Sequence, residues 1–85
     1  MSEELQEVGK VTHFFAKISV AVIELKAPVS VGDRILIKGP TTNLEQTVES
    51  MEIEHEKVKR AGAGQSIGLR VDSRVRENDT VYKIS

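Results

Sequence analysis

Apolar and polar residues alternate along most of this chain with the period of two that marks strands. Residues 8–15 form the first predicted strand, with Val8, Val11 and the Phe14–Phe15 pair as its apolar contributors. Gly9 inside it suggests a bulge or a close backbone approach. Residues 17–25 are rich in β-branched side chains. Ile18, Val20 and Val22 share one face, and Ala21, Ile23 and Leu25 share the other. Apolar residues on both faces predict a strand covered on both sides, at least in part. Further strands are predicted at 34–38, 45–56, 66–72 and 80–84. In the long segment 45–56, alternation puts Glu52, Glu54 and Glu56 on one face and His55 on the other.

The connections carry turn chemistry. Pro28 cannot donate a ladder hydrogen bond, so 26–33 reads as a connection that ends in the Gly32-Asp33 turn. Residues 39–43 and the glycine loop Ala61-Gly62-Ala63-Gly64 separate the later strands. Residues 73–79 form a polar connection. A helical period is weak throughout. Its best stretch, residues 2–7, has Ser2 as N-cap but Leu5 where a capping box needs Glu or Gln. The chain therefore divides into a flexible or weakly ordered segment, 1–7, and a single all-β domain, 8–85. About six strands at regular spacing point to a barrel or a sandwich.

Length sharpens this picture. Eighty-five residues suffice for one domain, and the absence of cysteine removes disulfides and thiolate metal sites as staples. A closed barrel has no free sheet edges and suits so small a chain. Charge is nearly balanced, at −1 overall, but unevenly spread. Residues 39–56 hold Glu residues and no Lys or Arg, whereas 57–76 hold six basic residues and one acid, Asp72. An acidic side and a basic side follow. No run approaches the roughly 20 apolar residues of a membrane span. The acidic N-terminus has the wrong pattern for a signal peptide, so a cytoplasmic location is expected.

Several stretches occur in a suggestive order: Val8-Gly9-Lys10-Val11, Ala21-Val22-Ile23-Glu24-Leu25, Val31-Gly32-Asp33-Arg34-Ile35, Thr47-Val48-Glu49-Ser50-Met51, and residues 61–69. Together they resemble the second domain of translational GTPases such as elongation factor Tu. The resemblance covers residues 8–84. It implies a closed six-stranded antiparallel Greek-key β-barrel that binds transfer or ribosomal RNA, or a ribosome-associated protein. Similar barrels are also appended to collagenase-like peptidases, which gives the alternative of a protein–protein interaction module with no nucleic-acid role. No G-x-x-x-x-G-K-[ST] motif is present, so no GTPase activity and no bound nucleotide are expected. Arg60 stands where elongation factor Tu carries an acidic residue near the terminal adenosine of transfer RNA.

Candidate chemistry is sparse. The row Glu52, Glu54 and Glu56, successive side chains about 6.5–7 Å apart, could attract a divalent cation, or it could be solvated and paired across the sheet. His13 has no nucleophile motif beside it, so neither an enzyme nor a cofactor is expected. Lys57, Lys59, Arg60, Arg70, Arg74 and Arg76 are the candidate nucleic-acid contacts if their loops converge at one barrel end, and otherwise a solvated basic face. Of Phe14 and Phe15, alternation turns one inward. The outward ring is a protein-interface anchor, a base-stacking platform or a lid over a barrel end.

Overall fold

The computed structural model describes residues 4–85, all of whose regular elements are strands. They run β1 (Leu5–Phe15), β2 (Val20–Leu25), β3 (Val29–Ser30), β4 (Arg34–Lys38), β5 (Asn43–Thr47), β6 (Met51–Ile53), β7 (Glu56–Val58), β8 (Arg60–Ala61), β9 (Ser66–Arg70) and β10 (Thr80–Ile84). Eight of them form one antiparallel sheet in the order β5-β4-β10-β1-β2-β9-β6-β7, and β3 pairs with β8. The all-β antiparallel expectation holds. No sheet closes into a barrel, because the ladder ends at β5 on one side and β7 on the other.

The first strand starts three residues earlier than its hydrophobic pattern predicts. Leu5, Gln6 and Glu7 pair with Ile84, Lys83 and Tyr82, so the ladder with the C-terminal strand organises part of the segment read as weakly ordered. Residues 1–3 of that segment, including the proposed N-cap Ser2, lie outside the described residues. Gly9 acts as its setting suggested. The register shifts beside it, and a Cβ there would lie 2.6 Å from the Glu24 carbonyl oxygen.

The single strand predicted over 45–56 is instead three elements. After β5 the chain leaves the ladder. Val48 turns fully inward, and its backbone exchanges bonds with Gly32 and Asp33. After β6, Glu54 and His55 both take positive φ, 51° and 68°, between the paired residues Ile53 and Glu56. That is the backbone of a two-residue type I′ hairpin, which reverses the chain within the sheet. The row of Glu52, Glu54 and Glu56 therefore does not exist. Among the described residues no group of three or more His, Asp or Glu side chains is placed to hold a metal ion.

Three connections use one device. Ser30 N–H donates to Asp33 Oδ2 at 2.8 Å, Gly62 N–H to Gln65 Oε1 at 2.7 Å, and Arg76 N–H to Asp79 Oδ2 at 2.8 Å. In each, the fourth residue's N–H returns to the first residue's carbonyl. The third residue has positive φ: Gly32, Gly64 and Asn78. Each device launches a strand, β4, β9 or β10, and satisfies a backbone donor that the sheet leaves free.

The core is aliphatic. Val8, Val11, Ile23, Ile35, Ile37, Met51, Ile67, Leu69, Val75 and Val81 are essentially solvent-free, and Phe14 packs against them half-buried. Among buried polar groups, Gln46 is bonded through both amide atoms and Asp79 through Oδ2, and no buried side-chain polar atom among the described residues lacks a partner.

Candidate functional site

The registers of β1, β2, β9, β6 and β7 sort their side chains into rows. Phe14, Ala21, Leu69, Met51 and Val58 stand opposite one another and point into the core. The neighbouring rows point outward, since successive residues alternate faces. One is Phe15, Val20 and Arg70; the next is His13, Val22, Gly68, Glu52 and Lys57.

Apart from His13, these outward rows line an open groove of about 690 Å³, with Val20, Val22 and Gly68 as its floor. Phe15 and Ile18 stand at its rim, 49% and 61% exposed, although both are large and apolar. Gly68 lowers the floor: a Cβ there would be 3.6 Å from Val20 Cγ1, an ordinary contact, so the missing side chain is open space rather than a steric need. Phe15 is held edge-on against His13, ring centroids 5.9 Å apart at 77°. His13 in turn bonds Glu77 through Nδ1 at 2.8 Å, with both side chains mostly exposed.

The structure resolves the phenylalanine pair: Phe14 is the inward ring and Phe15 the outward one. The apolar groups on both faces of β2 predicted a strand covered on both sides, at least in part. The inner face is fully covered, whereas Val20 and Val22 are half-buried and form the groove floor. Sequence reasoning therefore saw Ile18, Val20 and Val22 but misjudged their use, and it missed Gly68. The available signal was a two-faced apolar strand in a domain too small to cover both sides.

The six basic residues do not converge. Lys57 and Arg70 line the groove. Arg60 lies in β8 opposite Ser30, at the end of the sheet where Asp33 meets Lys83, and the Lys59 carbonyl is bonded by Val31 N–H beside it. Arg74 and Arg76 lie in the connection that leads into β10, whose first residue, Thr80, pairs with Lys38. Arg60 and Arg76 thus flank opposite ends of the β4–β10 ladder. Antiparallel pairing separates the loops that chain proximity seemed to gather.

Comparison with known proteins agrees with this architecture. Residues 3–81 match the model of the peptidase family U32 C-terminal domain. An uncharacterised protease of Methanocaldococcus jannaschii is 46% identical over 77 residues, which is 89% of this chain and 19% of that protein. A collagenase of Porphyromonas gingivalis is 37% identical over 78 residues, 89% of this chain and 22% of the collagenase. The chain therefore spans about a fifth of the length of the curated relatives it matches. The crystal structure of the C-terminal domain of a candidate U32 peptidase from Geobacillus thermoleovorans has the same fold, with a TM-score of 0.86 at 18% identity over 92% of this chain and 91% of that one.

These matches overturn the resemblance to elongation factor Tu and the RNA-binding role drawn from it. Two of the stretches that carried the resemblance, residues 31–35 and 61–69, hold the glycine turns described above. Positive φ at Gly32 and Gly64 is a requirement of tight chain reversal, and it carries no information about a ligand.

Proposed function

The chain belongs to the peptidase family U32 C-terminal domain family, and from that membership we propose that it is a non-catalytic protein-interaction module that works beside a collagenase-like peptidase. One observation carries the reading: Phe15 and Ile18 stand exposed over an apolar floor of Val20 and Val22 that no described element covers. Exposed large apolar side chains grouped around a concave surface mark interaction sites, whereas scattered ones do not. The rim charges Glu52, Glu54, Lys57 and Arg70 leave the patch soluble and give a partner directional contacts.

The finer architecture fits the same reading. Gln46 joins the end strand β5 to the backbone just beyond β9, which supports viewing the sheet as a curled, nearly closed barrel with one face kept free.

The test uses the part of the Methanocaldococcus jannaschii protease outside the matched region, titrated with this chain. Binding that is lost in Phe15→Ser/Ile18→Ser, with the fold retained, supports docking through this face. Binding that persists unchanged in the double variant refutes it.

A further inference from the structure

We propose that the groove takes an extended polypeptide segment that carries an acidic and a basic residue four positions apart, with an apolar residue midway. This inference rests on reading the face as a protein-docking surface, and it specifies the chemistry of what docks.

The argument is one of charge complementarity along β9. Arg70 stands at one end of that strand, in an outward row whose other members, Phe15 and Val20, are apolar, and no ion pair among the described residues involves it. Ser66 lines the groove at the other end. The β6 register pairs Met51 with Leu69 and Glu52 with Gly68, so the hairpin turn at Glu54 lies beyond Gly68, on the Ser66 side of the groove. Glu54 also lines the groove and has no ion-pair partner among the described residues.

Glu49 and Asp72 line a small neighbouring pocket with Arg70 but form no ion pair with it, and the remaining charges on the groove are opposed within the sheet. Glu52 stands across from Lys57, and Glu24, in the outward row with Ser66, stands across from Lys10. His55 adjoins Glu54 in the turn and is the one further titratable group on the lining. Arg70 and Glu54 are thus the two charges at the ends of the groove that face no opposite charge across a strand. Between them lie Val20, Val22 and the gap left by Gly68.

The spacing defines the ligand. Four residues of strand, from Ser66 to Arg70, span about 13 Å. An extended peptide laid along the groove covers the same distance between its residues i and i+4. Residues i, i+2 and i+4 then face the floor together. An acid meets Arg70, an apolar side chain sits over Gly68 between Val20 and Val22, and a base meets Glu54. A groove of about 690 Å³ is of a size to hold such a short segment.

The experiment titrates the 85-residue chain into a fluorescent peptide Glu-Ala-Val-Ala-Lys, blocked at both ends. Its neutral counterpart Gln-Ala-Val-Ala-Gln should bind about tenfold more weakly, as loss of charge-assisted bonds predicts. Arg70→Glu should weaken the charged peptide by about tenfold or more while sparing the neutral one. Gly68→Val, which fills the floor, should abolish binding of both with an unchanged circular dichroism spectrum. Equal affinity for the two peptides, indifference to Arg70→Glu, or no binding of the charged peptide at all would overturn the proposal. None of those outcomes would touch the docking reading, which stands or falls on the Phe15→Ser/Ile18→Ser result.

Discussion

Gln46 reaches across the sheet from β5 to Arg70 at the end of β9: its Nε2 donates to the Arg70 carbonyl at 2.9 Å. Its Oε1 accepts the N–H of Asp72, also at 2.9 Å. One side-chain amide thereby does what a pair of ladder bonds would do, at the place where the two strands are not paired. Gln46 is nearly buried, so water cannot easily replace it. Gln46→Leu keeps the volume and removes both bonds. It should cost about 2–4 kcal/mol, since a backbone carbonyl and an N–H lose their partner together. Urea denaturation measures this, and a change below about 0.5 kcal/mol would mean that the seam is not closed by Gln46.

Gly39 and Asp79 make a second dependence. A Cβ on Gly39 would fall 2.0 Å from Asp79 Oδ1, while Asp79 Oδ2 holds the Arg76 N–H. Asp79 is 2% exposed and has nowhere to retreat. Gly39→Ala should therefore destabilise by about 2–3 kcal/mol through overpacking and loss of the turn bond. Thermal unfolding of the variant reads the loss directly, and an unchanged midpoint would count against the close packing described.

The β6–β7 hairpin can be improved. Glu54 and His55 occupy left-handed conformations that favour Asn and Gly. Replacing them as Glu54→Asn with His55→Gly should stabilise by about 1 kcal/mol or more, because two unfavourable φ values are relieved. A lower urea midpoint in the double variant would contradict the type I′ assignment. The same change should weaken the charged peptide, since it deletes Glu54.

Phe15→Ser/Ile18→Ser should leave stability within about 0.5 kcal/mol of the parent, because Ile18 lies mostly in water, Phe15 is about half-exposed, and neither packs in the core. Phe14→Ser should behave differently and cost about 2 kcal/mol or more, since that ring packs on the core. Parallel denaturant titrations of the two variants separate the roles of adjacent rings. Similar losses in both would mean that Phe15 is also structural.

The isolated chain should not hydrolyse gelatin or a fluorogenic peptide above background. No candidate nucleophile–base pair emerged from the sequence, and among the described residues the His13 ring bonds the exposed Glu77. Turnover that survives purification and follows the chain's concentration would refute the non-catalytic reading.

The local pattern alone determined a good part of this molecule. Strands 34–38 and 80–84 agree with β4 and β10 residue for residue, because alternation and flanking Gly or Asp act within a few positions. The grouping of Ala21, Ile23 and Leu25 on one face was legible for the same reason, although only the fold shows that this face is the inward one. Asn78 was less so: its positive φ belongs to the same turn device as Gly32 and Gly64, but Asn occurs in many conformations. The break of 45–56 into β5, β6 and β7 depends on Val48 finding the core and on the strained turn at Glu54-His55, and neither is encoded in the period of two.

The site was decided by tertiary structure. The sequence by itself placed apolar residues on both faces of β2, but whether a second layer covers Val20 and Val22 depends on where ten strands go and whether their ladder closes. It grouped six basic residues along the chain, but antiparallel pairing sent Arg60 and Arg76 to opposite ends and brought Arg70 into the row of Phe15, across Val20. Alternation is set by neighbours in the chain, and so it can be read there. A groove is set by strands that meet across long separations, and only the folded sheet brings them together.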